Sequence, residues 1–549
     1  MVRRVLSHNS ILSLALSVSF CFSPASAGAS KTPTDDLVIY GGTASGVMTA
    51  YSAAKEGLHV VLLEPRAHLG GMVAGGLSAT DLAQFQIIGG YTRDFYMRAA
   101  AHYGVHTLEK HEDWLSEPHV GEEIFRSMLK EVGVEVHFHE KLVEHGGVLM
   151  TANHVTSIRT MDGRVWKAKI FADCSYEGDM MAQSGVSYTV GREAIEKYGE
   201  DLAGVRDKTP AHQFTWPLNA YDDQHKLLPE IGPGPLGTPG TGDKKVQAYN
   251  FRLILTHDPA NQAPYPKPAR YDSARFALLR RYLTEFEKNK GRTPSFHDVT
   301  NPVEIPNHKA DFNNNGPVST DYIGHSWNYP DGSYEVRQKI WNDTVEYTQA
   351  FFYFLAHDPS VPSSLQKEVN EWGLSKDEFV DNGYFPNQLY IREGRRMVGV
   401  YVMRQADLQI VRTKPDSIGM GSYQSDSHNI QRIAREDGTA TNEGDVQVAV
   451  QPYEIPLRVM LPEKDQVDNL LVPVCLSASH VAYSSVRMEP QYMIIGQAAG
   501  VVASLAIRQG IAVQDIPVQV LQGKLHERKA VLNLADAEAN PKAPQGSRD

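Results

Sequence analysis

Glu64 closes the apolar run Val60-Val61-Leu62-Leu63 and stands about 20 residues beyond the glycine turn Gly41-Gly42-Thr43-Ala44-Ser45-Gly46. A carboxylate at that spacing can accept hydrogen bonds from ribose hydroxyls, and it disfavours a 2′-phosphate. The turn supplies the complementary chemistry. It follows the short apolar strand Leu37-Val38-Ile39 and leads into an Ala-rich helical stretch, so the free N–H groups of the first helical turn point at it and suit a pyrophosphate. Strand, turn, helix and a second strand ending on an acid make 36–64 a nucleotide-binding βαβ unit and point to a redox enzyme. Thr43 departs from the G-x-G-x-x-G pattern, because it stands at the middle glycine position, where the backbone must come close to the ligand.

Further elements must complete that unit. Glycines crowd the stretch after Glu64, through Gly70-Gly71-Met72 to Gly75-Gly76, and let backbone amides lie against a flat ligand. Val134 to Phe138 with Leu142-Val143 reads as a strand pair, and 155–158 with 164–166 as a hairpin around Asp162-Gly163. Lys169 to Cys174 reads as a strand leading to Glu177-Gly178-Asp179, acids that either bond the cofactor or cap the following helix. Near the end, Asn469 to Cys475 is an apolar strand, and Gly496-Gln497-Ala498-Ala499-Gly500 is expected to open an Ala-rich helix. Between these parts, 190–440 changes character. It contains the Pro/Gly run 232–240, loops rich in Tyr, Trp and Asn, and a helical stretch over 335–355.

The expected fold class is therefore α/β. A Rossmann-like dinucleotide-binding domain, 36–189 and 441–515, is interrupted by an inserted α+β substrate domain, 190–440, and followed by a tail, 516–549. Residues 1–27 read as an export signal: Arg3-Arg4, the apolar run 11–22, and Ala25-Ser26-Ala27 as a cleavage site. A periplasmic or secreted protein is expected, with no membrane insertion after signal removal. Arg3-Arg4 followed by Val5-Leu6 is a degenerate twin-arginine signal, whose route would carry the protein already folded, or else two ordinary signal charges. Loss of the signal takes the net charge from −12 to −14, which argues against nucleic-acid or anionic-membrane partners. Cys174 and Cys475 alone remain in the mature chain, and both sit in apolar runs, so no disulfide framework or cysteine metal site is expected. The scattered histidines give no metal-ligand spacing, and no metal is expected.

Several segments together carry a resemblance: GGTASG with Glu64, HLGGM at 68–72, FADCSYEGDM at 171–180, VQAYNFRL at 246–253, YIREGRRMVG at 390–399, and SASHVAYSSVRMEPQYMIIGQAAG at 477–500. The chain resembles the FAD-dependent oxidoreductases of the glutathione-reductase-like superfamily. More narrowly, it is similar to a family of exported bacterial members, some of them labelled "xanthan lyase", over roughly 36–515. The resemblance implies FAD as cofactor. It implies Gly41, Gly42, Ser45 and Gly46 around the pyrophosphate, and Glu64 on the adenosine ribose. Arg66, Gly70, Gly71 and Met72 would lie along the cofactor, with the backbone of Val143 as a possible adenine contact; Asp179, read from its own segment, either bonds the ribose or pyrophosphate edge or caps its helix. Gly496 to Gly500 (Gln497, Ala498 and Ala499 between them) would bring a helix N-terminus to the flavin.

Flavin performs the hydride chemistry, so the protein must supply a base and orienting cations. His480, between the returning strand and the GQAAG segment, is the leading base, against a core histidine bonded to backbone. Arg487 is read as binding a substrate oxygen or a flavin carbonyl, or as pairing with Glu489. Asp426 and His428 form a polar cluster that could assist or replace His480. The run Arg392 to Arg396 offers a substrate cation or an exposed helical charge face. The expected substrate is a small polar molecule, with a carbohydrate or polyol C–OH first and a C–C bond of a carboxylic acid second; the electron acceptor is unknown. A polysaccharide lyase is the rival of another class, but it would leave Glu64 and GQAAG unexplained.

Overall fold

The computed structural model describes residues 34–207 and 209–540. The export signal expected over 1–27 lies outside the described residues. From Asp35 onward the described chain forms one compact unit.

At its centre is a five-stranded sheet in the order Leu470–Leu471, Ala168–Asp173, Asp35–Tyr40, Val60–Glu64, Glu135–Phe138. All its pairings are parallel, with Leu37 opposite Val60 and Ile170, and Leu62 opposite Val136. Both faces are covered, so the strands are continuous apolar runs: Leu37, Val38, Ile39, Leu62 and Leu63 are fully buried. The helix Ala44–Lys55 makes the crossover between the first two strands, which pair in parallel. The expected hairpin forms as His154–Arg159 against Val165–Trp166, with Ile158 opposite Trp166, and caps the crossover from Glu135–Phe138 to Ala168–Asp173. The strand order reverses at Asp35–Tyr40, placing a topological switch point at the carboxyl ends of that strand and of Ala168–Asp173.

A second five-stranded sheet, wholly antiparallel, has the order Gln262–Ala263, Gly373–Ser375, Leu253–Thr256, Lys309–Asn314, Thr300–Ile305. Helices Ala277–Lys290 and Tyr334–His357 accompany it, the latter covering the expected helical stretch. One apolar cluster runs continuously from Leu37 and Val47 to Phe312 and Phe351. Residues beyond 515 form the helices Val518–Glu527 and Leu534–Ala539, the first held by Lys524 and Arg528 on Glu56.

The GQAAG segment requires a correction. It does not open a helix: it lies in the middle of Glu489–Gln509, whose start is set by Met488 as N-cap and Pro490 in the first turn. The small residues serve helix packing instead. A Cβ on Gly496 would meet the Ser45 carbonyl oxygen at 2.4 Å, and one on Gly500 would meet the Ala53 nitrogen at 2.6 Å, so the two helices touch through their backbones. Ser52 donates to the Gln497 carbonyl at 2.7 Å, and the Gln497 side chain accepts from the Tyr91 N–H. Mid-helix N–H groups are already bonded within the helix and offer a ligand no free donors.

Candidate functional site

A cavity of about 220 Å³ opens at the switch point. Tyr40, Gly41 and Thr43 line it from the first strand's end, Glu64, Pro65 and Arg66 from the second's, and Ser175, Tyr176, Glu177 and Asp179 from that of Ala168–Asp173. A smaller recess continues past Thr43, Glu64 and Arg66 to Gly71, Ala74 and Gly75.

The turn is built as a dinucleotide turn. Gly41 has φ +100°, and a Cβ there would lie 2.6 Å from the Ser175 nitrogen; one on Gly46 would lie 1.9 Å from the Gly41 carbonyl oxygen. Only glycine fits either place. Thr43 is accommodated because its hydroxyl turns to the adjacent strand's end, donating to the Cys174 carbonyl at 2.8 Å and accepting the Gly46 N–H at 3.2 Å as the helix N-cap. By helix geometry the N–H groups of Ala44 and Ser45 then lack intrahelical acceptors and suit an anion. The Ser45 hydroxyl itself faces Gly496 and has no hydrogen-bond partner among the described residues.

Glu64 is 8% exposed. Its Oε2 accepts the Gly42 N–H and its Oε1 the Arg66 N–H, each at 2.7 Å, which ties the turn to the strand end while the carboxylate still borders the cavity. Burial raises its pKa to about 7, against the opposing pull of those two N–H groups. The Arg66 guanidinium lies 3.7 Å above the Trp341 ring. Gly70, at φ +95°, donates to the Gly42 carbonyl, and Met72 N–H donates to the Tyr176 hydroxyl at 2.9 Å. A Cβ on Gly71 would meet that hydroxyl at 2.3 Å. Asp179 lines the cavity but is committed to Arg337 through two bonds, 2.7 and 2.9 Å, and to Arg395 at 2.7 Å. The backbone of Val143 is likewise engaged, its N–H on the Arg159 carbonyl and its oxygen on Gln183; from that segment Lys141 lines the cavity.

The segment from Gly70 to Asp81 leads from the recess to a second polar cluster, in which Asp81 bonds Tyr423. There His428 Nδ1 lies 2.7 Å from Asp321 Oδ2, while its Nε2 has Asp426 Oδ2 at 3.5 Å, beyond a normal hydrogen bond. Burial and Arg392 push the His428 pKa down, but Asp321 and Asp426 prevail and hold it above its ordinary value. Burial would raise Asp321, yet Arg392 and His428 hold it at about 2. Arg392 pairs with Asp321 Oδ1 at 3.0 Å, and Arg487 donates to the Tyr390 hydroxyl at 2.9 Å and the Asp426 carbonyl at 2.6 Å. Asp81, His212, Tyr423 and Asp426 are half-buried, so the cluster reaches solvent.

His480 lies one layer deeper, 1% exposed. Its Nδ1 is 2.9 Å from Glu393 Oε2, its Nε2 3.3 Å from the Ser427 hydroxyl, and its N–H donates to Glu193. Gln247 joins the layers, donating to Glu393 and accepting the His428 N–H. The run Arg392 to Arg396 is not an exposed helical face. It is non-helical and buried, each arginine meeting an acid: Asp321 for Arg392, Asp179 and Asp331 for Arg395, Glu193 and Glu393 for Arg396. Arg487 pairs with Asp426, whereas Glu489 binds the Tyr176 hydroxyl at 2.6 Å. Sequence reasoning missed Asp321 and Tyr390. Cys174 and Cys475 are buried free thiols. Glu117, His119 and Glu378 have metal-like spacing, but the Lys309 ammonium sits among them, 2.8 Å from Glu378.

A parallel sheet with a glycine turn, a strand-end acid and a switch-point cavity defines a dinucleotide-binding enzyme. The chain matches the FAD dependent oxidoreductase family over residues 36–525 and belongs to it. It is an FAD-dependent oxidoreductase, and the glycine turn, the backbone-bonded Glu64 and the cavity between them fit that cofactor. Among solved structures it is similar to L-proline dehydrogenase from P. horikoshii, with 10% identity over 90% of this chain and 98% of that one and a TM-score of 0.32. It is also similar to the L-amino acid deaminase from Proteus vulgaris, 12% identical over 29% of this chain, with a TM-score of 0.22, and to thioredoxin reductase from Streptococcus pyogenes, 17% identical over 25%, with a TM-score of 0.16. The chain spans 53% of the deaminase and 34% of the reductase. No curated protein matches it.

Proposed function

We propose that the protein oxidises a C–OH group of a small polar molecule of the carbohydrate or polyol class, with His428 taking the hydroxyl proton. FAD, when bound, accepts the hydride. The observation that carries this reading is the asymmetry at His428: Asp321 fixes Nδ1 at 2.7 Å, while among the described residues Nε2 has no ion-pair or hydrogen-bond partner closer than Asp426 at 3.5 Å. A histidine oriented through one nitrogen and open at the other is arranged to move a proton. Asp321 sets the tautomer and stabilises the cation that forms; Arg392 and Arg487 orient the substrate. His480 acts as a positioning residue through Ser427 and through Glu393 and Gln247. The turn, Glu64 and Arg66 would hold the nucleotide half of FAD.

We also propose that the protein is exported, on the strength of the signal-like residues 1–27, and that a separate acceptor takes up the electrons. Anaerobic mixing of the holoprotein with a panel of sugars, polyols and acids tests the reaction. Bleaching of the flavin by a C–OH compound, with the matching carbonyl compound as product, is the expected result. Bleaching only by compounds that emerge with a new C=C bond would overturn it.

A further inference from the structure

Arg392 and Arg487 are among the least exposed charged residues of the chain, at 1% and 2%, and their hydrogen bonding is incomplete. Arg392 uses Nη1 on the Ala248 carbonyl and on Asp321, and among the described residues its Nε and Nη2 have no hydrogen-bond partner. Arg487 uses Nη1 and Nη2, and its Nε likewise has none among the described residues. A buried guanidinium normally satisfies its donors, because each one left unmade carries the full desolvation penalty. Nε and Nη2 form one straight edge of the planar guanidinium, the edge that matches the two oxygens of a carboxylate. The two guanidinium carbons lie 4.7 and 5.6 Å from the centre of the Tyr390 ring, so this aromatic side chain holds both cations in one place.

We infer that this pair is a carboxylate subsite and that the substrate is a hydroxy acid, such as a sugar acid, in place of a neutral polyol. The inference rests on the reading of the His428 cluster as the reaction site. The unpaired edge belongs to the same arginine that binds Asp321, the partner of His428, so a carboxylate there would lie beside the base. The surroundings select a single negative charge. Asp81, Asp321 and Asp426 crowd the cluster, and a doubly charged phosphate would meet their repulsion. A neutral polyol would leave the cationic edge paired only with hydroxyl groups.

Calorimetric titration of the holoprotein with two matched pairs tests this: gluconate against sorbitol, and glycerate against glycerol, each pair differing only by a carboxylate for a hydroxymethyl group. The expected result is at least about tenfold tighter binding of one acid over its polyol partner, close to 1.4 kcal/mol. Arg392→Lys keeps the charge but lacks the two-donor edge, and should remove most of that preference. Because a buried arginine variant can fail to fold, competition of acetate, a single negative charge with no hydroxyl group, with the bound acid in the unaltered protein is the second measurement, and displacement is expected. Equal binding within both pairs, or no binding of either acid, would overturn the inference. If an acid binds preferentially but never bleaches the flavin, the carboxylate subsite stands and the proposed oxidation fails. If a polyol bleaches the flavin and its acid does not bind, the reverse holds.

Discussion

Glu64→Gln separates what the strand-end acid does for the fold from what it does for the cofactor. In the folded chain the carboxyl is buried, and its pKa rises from 4.5 to about 7. Between those values the folded state therefore holds a proton that the unfolded state has released. By linkage, stability falls as pH rises through that interval, and the decline is complete above about 7. A shift of this size corresponds to about 3 kcal/mol. Gln has the same shape and does not titrate, so the variant lacks this slope. Urea unfolding of the FAD-free protein at pH 4.5 and pH 8, with and without the substitution, should show wild type losing about 3 kcal/mol relative to the variant across the interval. Binding of FAD should move the opposite way. Loss of charge-assisted bonds to the ribose, about 1.5–3 kcal/mol each, should weaken FAD by at least about tenfold at pH 8. Parallel pH profiles together with unchanged FAD affinity would refute the reasoning and leave Glu64 only the role of tying the turn to the strand end.

His428→Gln should retain flavin and slow its reduction by substrate about 10²–10⁴-fold in stopped flow, and an unslowed variant would clear it as the base. Since His428 must be neutral to accept a proton and is held above its ordinary 6.5, the wild-type reduction rate should climb with pH through that raised value and then level off. His480→Gln removes one side of the Glu393 layer, so a loss of about 1–3 kcal/mol in unfolding free energy is expected, with a smaller effect on reduction rate than His428→Gln. Gly500→Val, whose Cβ would lie 2.6 Å from the Ala53 nitrogen, should destabilise the protein by about 1–3 kcal/mol or more by prising the two helices apart, which a melting curve would detect.

The parts of the fold with strong local pattern were legible from the residues alone. The βαβ unit announces itself through contiguous apolar runs and a glycine turn, and the hairpin around Asp162-Gly163 and the long helix over 334–357 follow from turn chemistry and length. GQAAG misled because small residues spaced four apart signal a tight turn and a close helix contact equally well; the choice depended on Ser45, Thr49 and Ala53, more than 400 residues away in sequence. The arginine run misled for the same physical reason. Charges read as solvated until partners are known, and those partners, Asp179, Glu193 and Asp321, come from distant segments. Asp321 carries no local signal at all, since its meaning arises only when the fold sets it against a histidine 107 positions later. The Asp426-His428 pair was visible, but the proposal that prefers it to His480 draws on burial and on the partners of each ring nitrogen, which only the fold supplies.

The most direct test of the whole account is the chromophore of the purified full-length protein and of its Gly41→Val variant. Wild type should be yellow and release one FAD per chain on denaturation. The variant, whose added Cβ would press on the Ser175 backbone in a conformation reserved for glycine, should lose FAD. A colourless wild-type protein that cannot be reconstituted with FAD, or a variant that keeps a full complement of it, would contradict the assignment of the cofactor to this turn.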